Sequence, residues 1–184
     1  MSEFRGFIAI DIEAGPKIIK FEELIKKTGA NVKLVEPENI HITLKFLGNT
    51  DEERIADIKK IIKSVVEDVK PFKISLEGTG VFPDKNYIKV IWAGIKNSEK
   101  IEKIAEEINE KLSKLGFKKD KRKFSAHLTI GRVKTAKHKD KLLQILDKYK
   151  DFKFAEFEVK SIELKKSQLT PNGPVYTTLA EINF

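Results

Sequence analysis

His41-Ile42-Thr43-Leu44 and His127-Leu128-Thr129-Ile130 are one short pattern written twice in the same chain. In an extended strand successive side chains alternate between faces, so each His shares a face with the Thr two positions on, while the aliphatic residues between and after them enter a core. Each copy therefore reads as a small polar site on a buried strand. Two imidazoles, each with a hydroxyl about 6 to 7 Å along its strand, suit the handling of a phosphate. Imidazole ordinarily titrates near neutrality, so one ring can accept a proton while the other donates one. The hydroxyls of Thr43 and Thr129 can donate to non-bridging phosphate oxygens.

Working outward, the surroundings of the two patterns correspond. Phe7 to Ile12 is an apolar strand, Gly15-Pro16 opens a helix with Ile18, Ile19, Leu24 and Ile25 on one face, and Gly29 closes it. Val32 to Val35 is a short strand broken by Glu36-Pro37. The first His strand then runs from about Ile40 to Leu47 and ends at Gly48. Thr50-Asp51-Glu52-Glu53 fits a capping box ahead of Ile55, Ile58, Ile62, Val65 and Val69, a helical face closed by Pro71. Phe72 to Val81 and Tyr87 to Ile95 read as strands joined by a turn containing Pro83-Asp84-Lys85-Asn86. Ser98 caps a third helix bearing Ile101, Ile104, Ala105, Ile108, Leu112 and Leu115, which Gly116 closes. The second His strand extends to about Val133, and a fourth helix spans Lys137 to Tyr149. Phe152 to Lys165 and Val175 to Asn183 are strands separated by a loop with Pro171-Asn172-Gly173-Pro174.

Strand, helix, His strand, helix thus occurs from Phe7 to Lys70 and again from Tyr87 to Lys150, with the two His separated by 127 − 41 = 86 positions. This order predicts an α+β, bilobal fold of duplicated strand-helix-strand-helix units, with mostly antiparallel sheets flanking a central cleft. Residues 1–184 form one domain of two pseudo-symmetric lobes in this reading.

Composition narrows the chemistry. With no cysteine among 184 residues, disulfides, thiolate metal sites and zinc fingers are excluded. Only three His and the carboxylates remain as metal ligands. His138 lies in the charged stretch Lys137-His138-Lys139-Asp140 and reads as surface, which removes a three-His site. Two His with Asp11 remain a formal alternative that no close spacing supports. A net charge of +8, from 36 basic and 28 acidic residues, favours an anionic partner, although charged helix faces also serve solubility. No basic leader or long apolar run appears, so the expectation is a soluble cytoplasmic protein with no membrane span.

Other residues qualify by position. Lys45 falls on the face of His41 and Thr43 by strict alternation, where its charge would meet a phosphate. Arg132 falls on the face opposite His127 unless Gly131 bends or bulges the strand. Phe46 can stack on a base or join the core, and Trp92 reads as core. The tract Lys118-Lys119-Asp120-Lys121-Arg122-Lys123 reads as solvated charge or as a contact for a nucleic-acid backbone.

Both motifs, the strand Phe7-Ile8-Ala9-Ile10, the extension Lys45-Phe46-Leu47-Gly48, the extension Gly131-Arg132, and Ser167-Gln168-Leu169 followed by Gly173-Pro174-Val175-Tyr176 resemble the 2H phosphoesterase superfamily. They resemble in particular its RNA 2′,3′-cyclic phosphodiesterases, also called 2′-5′ RNA ligases. The second motif there commonly reads His-x-Thr-Leu-x-Arg, so Ile130 is a conservative departure and Arg132 keeps its place. The resemblance implies metal-independent opening of an RNA or nucleoside 2′,3′-cyclic phosphate to the 2′-phosphate, without a cofactor, and a reverse reaction making a 2′-5′ linkage. It implies His41 and His127 as catalytic residues, with His41 taken as base and His127 as acid. By this resemblance Thr43, Thr129 and Arg132 are expected to bind phosphate, Phe46 to lie against a base, and Ser167 and Tyr176 to line the cleft; Lys45 joins the expected substrate-binding residues by its strand face, and a monomer is expected. Competing readings are a 2′-5′ oligonucleotide phosphodiesterase, a non-catalytic RNA-binding module and a metal-dependent hydrolase.

Overall fold

The computed structural model describes residues 2–171 and 173–184. In chain order they form β1 (Glu3–Asp11), α1 (Pro16–Lys27), β2 (Val32–Leu34), β3 (His41–Asp51), α2 (Ile55–Val66), β4 (Phe72–Pro83), β5 (Ile88–Lys96) and α3 (Glu99–Lys114). There follow β6 (His127–Val133), α4 (Lys139–Lys148), β7 (Lys153–Val159), β8 (Ser161–Thr170) and β9 (Gly173–Asn183). The strands build two antiparallel sheets, one in the order β3-β1-β8-β9 and one in the order β2-β6-β5-β4-β7.

Set side by side, β3-β1-β8 and β6-β5-β4 display the duplication. Each His strand pairs with the strand that opens its own repeat, but the third strand is exchanged. β4 follows the first repeat and joins the second sheet, while β8 follows the second repeat and joins the first. Helices cross over as well. α1 packs against α4, β2 and β7 behind the five-stranded sheet, whereas α3 lies against β3 and α2, and α2 reaches β9. Ile18, Phe21 and Ile25 of α1, Ile58 and Ile62 of α2, Ile101, Ile108 and Leu112 of α3, and Leu142 of α4 all enter one buried apolar cluster with strand residues such as Ile8, Ile42, Ile91 and Leu128. Helices are thus confined to the backs of the sheets. The two His strands lie against each other in front.

Several local expectations are corrected. β3 does not end at Gly48: this residue takes φ +73, a conformation that costs glycine little, and the strand continues to pair with β1 as far as Asp51. Thr50 is consequently a buried strand residue whose hydroxyl donates to the Gly48 carbonyl at 3.2 Å, and there is no capping box. A short 3-10 turn at Glu52–Arg54 leads into α2 instead. Ser98 does stand at the N-terminal boundary of α3, but its hydroxyl donates to the Glu102 carboxylate at 2.7 Å rather than capping a backbone N–H. The expected strand from Phe152 to Lys165 is two strands in different sheets. Val159 and Ile162, both buried, are three positions apart, so the alternation changes phase at the break between them. The expected loop at Pro171–Pro174 shortens to the link between β8 and β9, and Asn172 lies outside the described residues.

Candidate active site

The register of the His strands decides which side chains meet. In β3 the pairs Ala9–Thr43 and Ile8–Lys45 leave Leu44 as an extra residue, a bulge that reverses the alternation behind it. In β6 the pairs Trp92–Thr129 and Ile91–Gly131 leave Ile130 extra at the equivalent position. Directly paired residues share a face. Arg132, opposite Val90, therefore joins Thr129 and His127, and the bend that the sequence required of this segment is present. Phe46, opposite Phe7, joins His41 and Thr43 in the same way.

Lys45 is moved off that face, contrary to the expectation from strict alternation. It shares the core side with Ile8 and Ile42, is 2% exposed, and directs Nζ to the Lys118 carbonyl at 2.9 Å and the Asp120 carboxylate at 2.8 Å. Its role here is to tie the segment after α3 to β3. The basic tract is held down further by Asn109, which exchanges two hydrogen bonds with the Asp120 backbone, and by pairing of Lys119 with Glu110. The tract is exposed along its whole length, as solvated charge would be, and these contacts fasten it to α3 as it leads into β6. His138 is exposed at the start of α4.

Both imidazoles are oriented by the same device. His41 Nδ1 lies 2.7 Å from the Asn39 carbonyl oxygen, and His127 Nδ1 lies 2.7 Å from the Ser125 carbonyl oxygen, each two residues upstream. A carbonyl only accepts, so Nδ1 carries a proton in both rings and Nε2 is the atom left for chemistry. In the first motif Nε2 is 2.9 Å from Thr43 Oγ1, whose hydroxyl donates to the neutral ring.

The two settings then diverge. His41 is walled by Phe7 and Tyr176, with ring centroids 5.1 and 5.3 Å away, and burial lowers its pKa from the ordinary 6.5. The Asn39 carbonyl and Asp11 oppose that shift, and Lys165 adds to it. Asp11 is the cross-strand partner of His41 and accepts a hydrogen bond from Lys165, which also donates to Glu163 at 3.3 Å. Glu163 accepts in turn from Thr178 at 2.5 Å. Lys165 is 5% exposed, so this ammonium is held by two carboxylates beside His41. Tyr176 stands directly opposite Ser167, which puts both on the His41 face. Its hydroxyl pKa is raised by burial, against the positive charge of Arg132, Lys165 and Arg5.

His127 packs edge-on to Phe82 at 5.0 Å and borders a cavity of about 300 Å³. Phe82, Trp92, Gly94, Ser125, Lys96 and Lys150 are among its walls. The cross-strand partner of His127 is Gly94, where the first lobe has Asp11. A Cβ on Gly94 would lie 2.7 Å from the Glu77 carbonyl oxygen, so backbone approach enforces the missing side chain and the open space follows. Trp92 lies on this face with its indole over Gly80, not wholly in the core.

Sequence reasoning missed Lys165 as a site residue, and it considered Asp11 only as a metal ligand. The signal for Lys165 was its place two residues before Ser167 on the same strand face. It was hidden by reading Phe152 to Lys165 as one strand. Among the described residues no group of three or more His, Asp or Glu side chains is gathered as a metal site, and no helix is long and apolar enough to cross a membrane.

Comparison with known proteins identifies the family. Residues 7–184 match the family described as AKAP7 2′5′ RNA ligase-like domain. A Methanocaldococcus jannaschii protein named RNA 2′,3′-cyclic phosphodiesterase is 51% identical over 179 residues, covering 96% of this chain and 99% of the relative. An Archaeoglobus fulgidus protein of the same name is 42% identical, with 95% and 97% covered. Among solved structures, a Thermus thermophilus protein superposes with a TM-score of 0.76 at 26% identity, covering 97% of each chain. Escherichia coli LigT in apo form shares the fold with a TM-score of 0.69 at 19% identity, covering 100% of this chain and 98% of LigT. Matched along almost its whole length, the chain belongs to the 2′5′ RNA ligase-like family of 2H phosphoesterases.

Proposed function

We propose that the protein hydrolyses RNA or nucleoside 2′,3′-cyclic phosphate to the 2′-phosphate, with His41 as general base and His127 as general acid. The observation that carries this reading is the pair of imidazoles whose Nδ1 atoms are both engaged by upstream carbonyls, leaving two Nε2 atoms to move protons. Water attacks phosphorus and yields a proton to His41 Nε2. The bond from phosphorus to the ribose 3′-oxygen breaks, and His127, which must enter this step as the imidazolium with a proton on both nitrogens, gives its Nε2 proton to that oxygen. Thr43, Thr129 and Arg132 stabilise the charge that gathers on the non-bridging oxygens. The assignment of base and acid follows from burial. A ring pushed below its ordinary pKa is neutral at pH 7, and its Nε2 lone pair, which accepts from Thr43 here, can accept from water once that hydroxyl turns to the phosphate, which suits His41 as the base.

These groups suffice for proton transfer and charge stabilisation without a metal. A 5′-hydroxyl in place of water would give a 2′-5′ linkage, the ligation implied by the family's name. The whole chain acts as one domain and as a monomer, since both imidazoles come from the same chain, and with RNA as substrate its place of action is the cytoplasm. The relatives named RNA 2′,3′-cyclic phosphodiesterase support this choice over a 2′-5′ oligonucleotide phosphodiesterase.

The test is incubation of chelator-treated protein with an RNA ending in a 2′,3′-cyclic phosphate, resolving 2′-phosphate, 3′-phosphate and ligated products. Exclusive 2′-phosphate is expected. A metal requirement, a 3′-phosphate product or folded protein without turnover would each overturn the reading.

A further inference from the structure

Beyond Arg132 the cleft continues into a surface that the reaction at the cyclic phosphate does not use. Lys33 on β2 is the direct cross-strand partner of Arg132, so its side chain leaves the sheet on the same face. It reaches towards the other lobe: Nζ lies 3.2 Å from where a side chain on Gly173 would begin, at the start of β9. Arg5 approaches from the opposite sheet, where it faces Ser167 and shares the face of Phe7, and its charge is felt at Tyr176 together with that of Arg132. Among the described residues neither Arg5 nor Lys33 forms a salt bridge. Two large apolar side chains on the same face are left open, Phe46 at 66% and Leu169 at 72% exposed. Unpaired cations interleaved with exposed ring and aliphatic surface are what a single-stranded nucleic acid requires, backbone phosphates on the former and bases on the latter.

Distance separates this surface from the reacting phosphate. Arg132 is three positions beyond Thr129, roughly 10 Å at the usual rise and less across the bulge, and Lys33 lies one strand further out. Arg5 is four positions from Ala9, the partner of Thr43. Both therefore start further along their strands than the Thr hydroxyls that hold the reacting phosphate.

We propose that this end of the cleft is a second phosphate subsite, in which Arg5 and Lys33 hold the phosphodiester preceding the cyclic end of a single-stranded RNA, and the exposed Phe46 ring carries the adjoining base. The proposal rests on the hydrolytic reading above and adds a substrate preference to it: RNA ends over free nucleotides. The cavity beside His127 lies in the other direction along β6.

The experiment compares kcat/KM for a nucleoside 2′,3′-cyclic phosphate, a dinucleotide ending in a cyclic phosphate and a longer RNA with the same end. The wild type is expected to gain at least ten-fold from nucleoside to dinucleotide. Lys33→Gln and Arg5→Gln should each remove most of that gain and flatten the salt dependence by about one phosphate contact, while nucleoside turnover stays within about two-fold. Lys33→Arg should keep the gain. Equal wild-type rates on nucleoside and dinucleotide would overturn the subsite, as would variants that retain the gain. Loss of the gain through Lys96→Gln and Lys150→Gln alone would overturn it too, by sending the strand to the cavity instead. A variant that misfolds loses nucleoside turnover as well, and Lys33→Arg then decides. A wild type that turns over none of the substrates denies the hydrolytic reading itself.

Discussion

The two lobes present one motif in two environments. Each offers His and Thr on a bulged strand with Nδ1 held by a carbonyl two residues back. In the first lobe the neighbouring strand supplies Asp11, and the charge network with Lys165 and Glu163 fills the space around a sheltered His41. In the second it supplies Gly94, and the space beside His127 stays open. The shared Nδ1 anchor therefore fixes which nitrogen reacts, whereas the neighbouring strands fix what surrounds each ring. Duplication alone would make the imidazoles interchangeable, and the packing around them removes that symmetry.

The most severe test is to delete either ring. His41→Ala and His127→Ala should each lower kcat by at least about 100-fold, the usual loss for a general acid or base, with circular dichroism unchanged. A variant keeping most of its activity would break the paired mechanism.

Lys165→Met comes next. It leaves the largely buried Glu163 and the more exposed Asp11 without their shared partner and should cost about 1 to 3 kcal/mol in denaturant unfolding. The same change removes a positive charge beside His41 and leaves a negative one, so the ring's pKa rises. Because the base must be neutral, the acid limb of the kcat/KM profile moves to higher pH. A limb that does not move, or moves down, would detach the charge network from His41.

Gly94→Ala probes the other lobe. Its methyl meets the Glu77 carbonyl, so strand separation should cost about 1 to 3 kcal/mol, a fall in Tm of a few degrees. An unchanged Tm would mean that the cavity floor yields easily.

The smallest effect concerns the crossed helix. α1 buries Glu22, whose pKa is raised from 4.5 to about 7 by desolvation, against attraction from Lys26. The folded chain then binds this proton more tightly than the unfolded one. The associated stability is complete below pH 4.5 and is lost as pH rises through 7. Glu22→Gln, which cannot ionise, should gain roughly 1 to 2 kcal/mol at pH 8 and little at pH 4. An equal gain at both would make it a packing effect.

Much of this was legible because the signals are local. Alternation around His41 and His127, the helical faces, and the placement of Gly29 and Gly116 after α1 and α3 each depend on a few adjacent residues. Lys45 shows where such reasoning stops. A bulge is a property of two paired strands, and only the partner reveals that Leu44 is the extra residue. For Arg132 the same bulge acts in the opposite sense, bringing in a side chain that strict alternation excludes. Thr50 was misread because a Thr-x-x-Glu spacing fits a cap in isolation, and pairing with β1 extends the strand over it instead.

The sequence by itself determined the duplication, the α+β class and the identity of the two His and two Thr, since repeated residue types at fixed spacing are written in the chain. Tertiary structure decided the exchange of β4 and β8 between sheets, the strand bulges that turn Lys45 away and Arg132 in, and the contrast between a packed and an open lobe. The physical reason is that these depend on register and on which apolar face covers which. Both are settled by contacts between segments far apart in sequence, where local alternation carries no information.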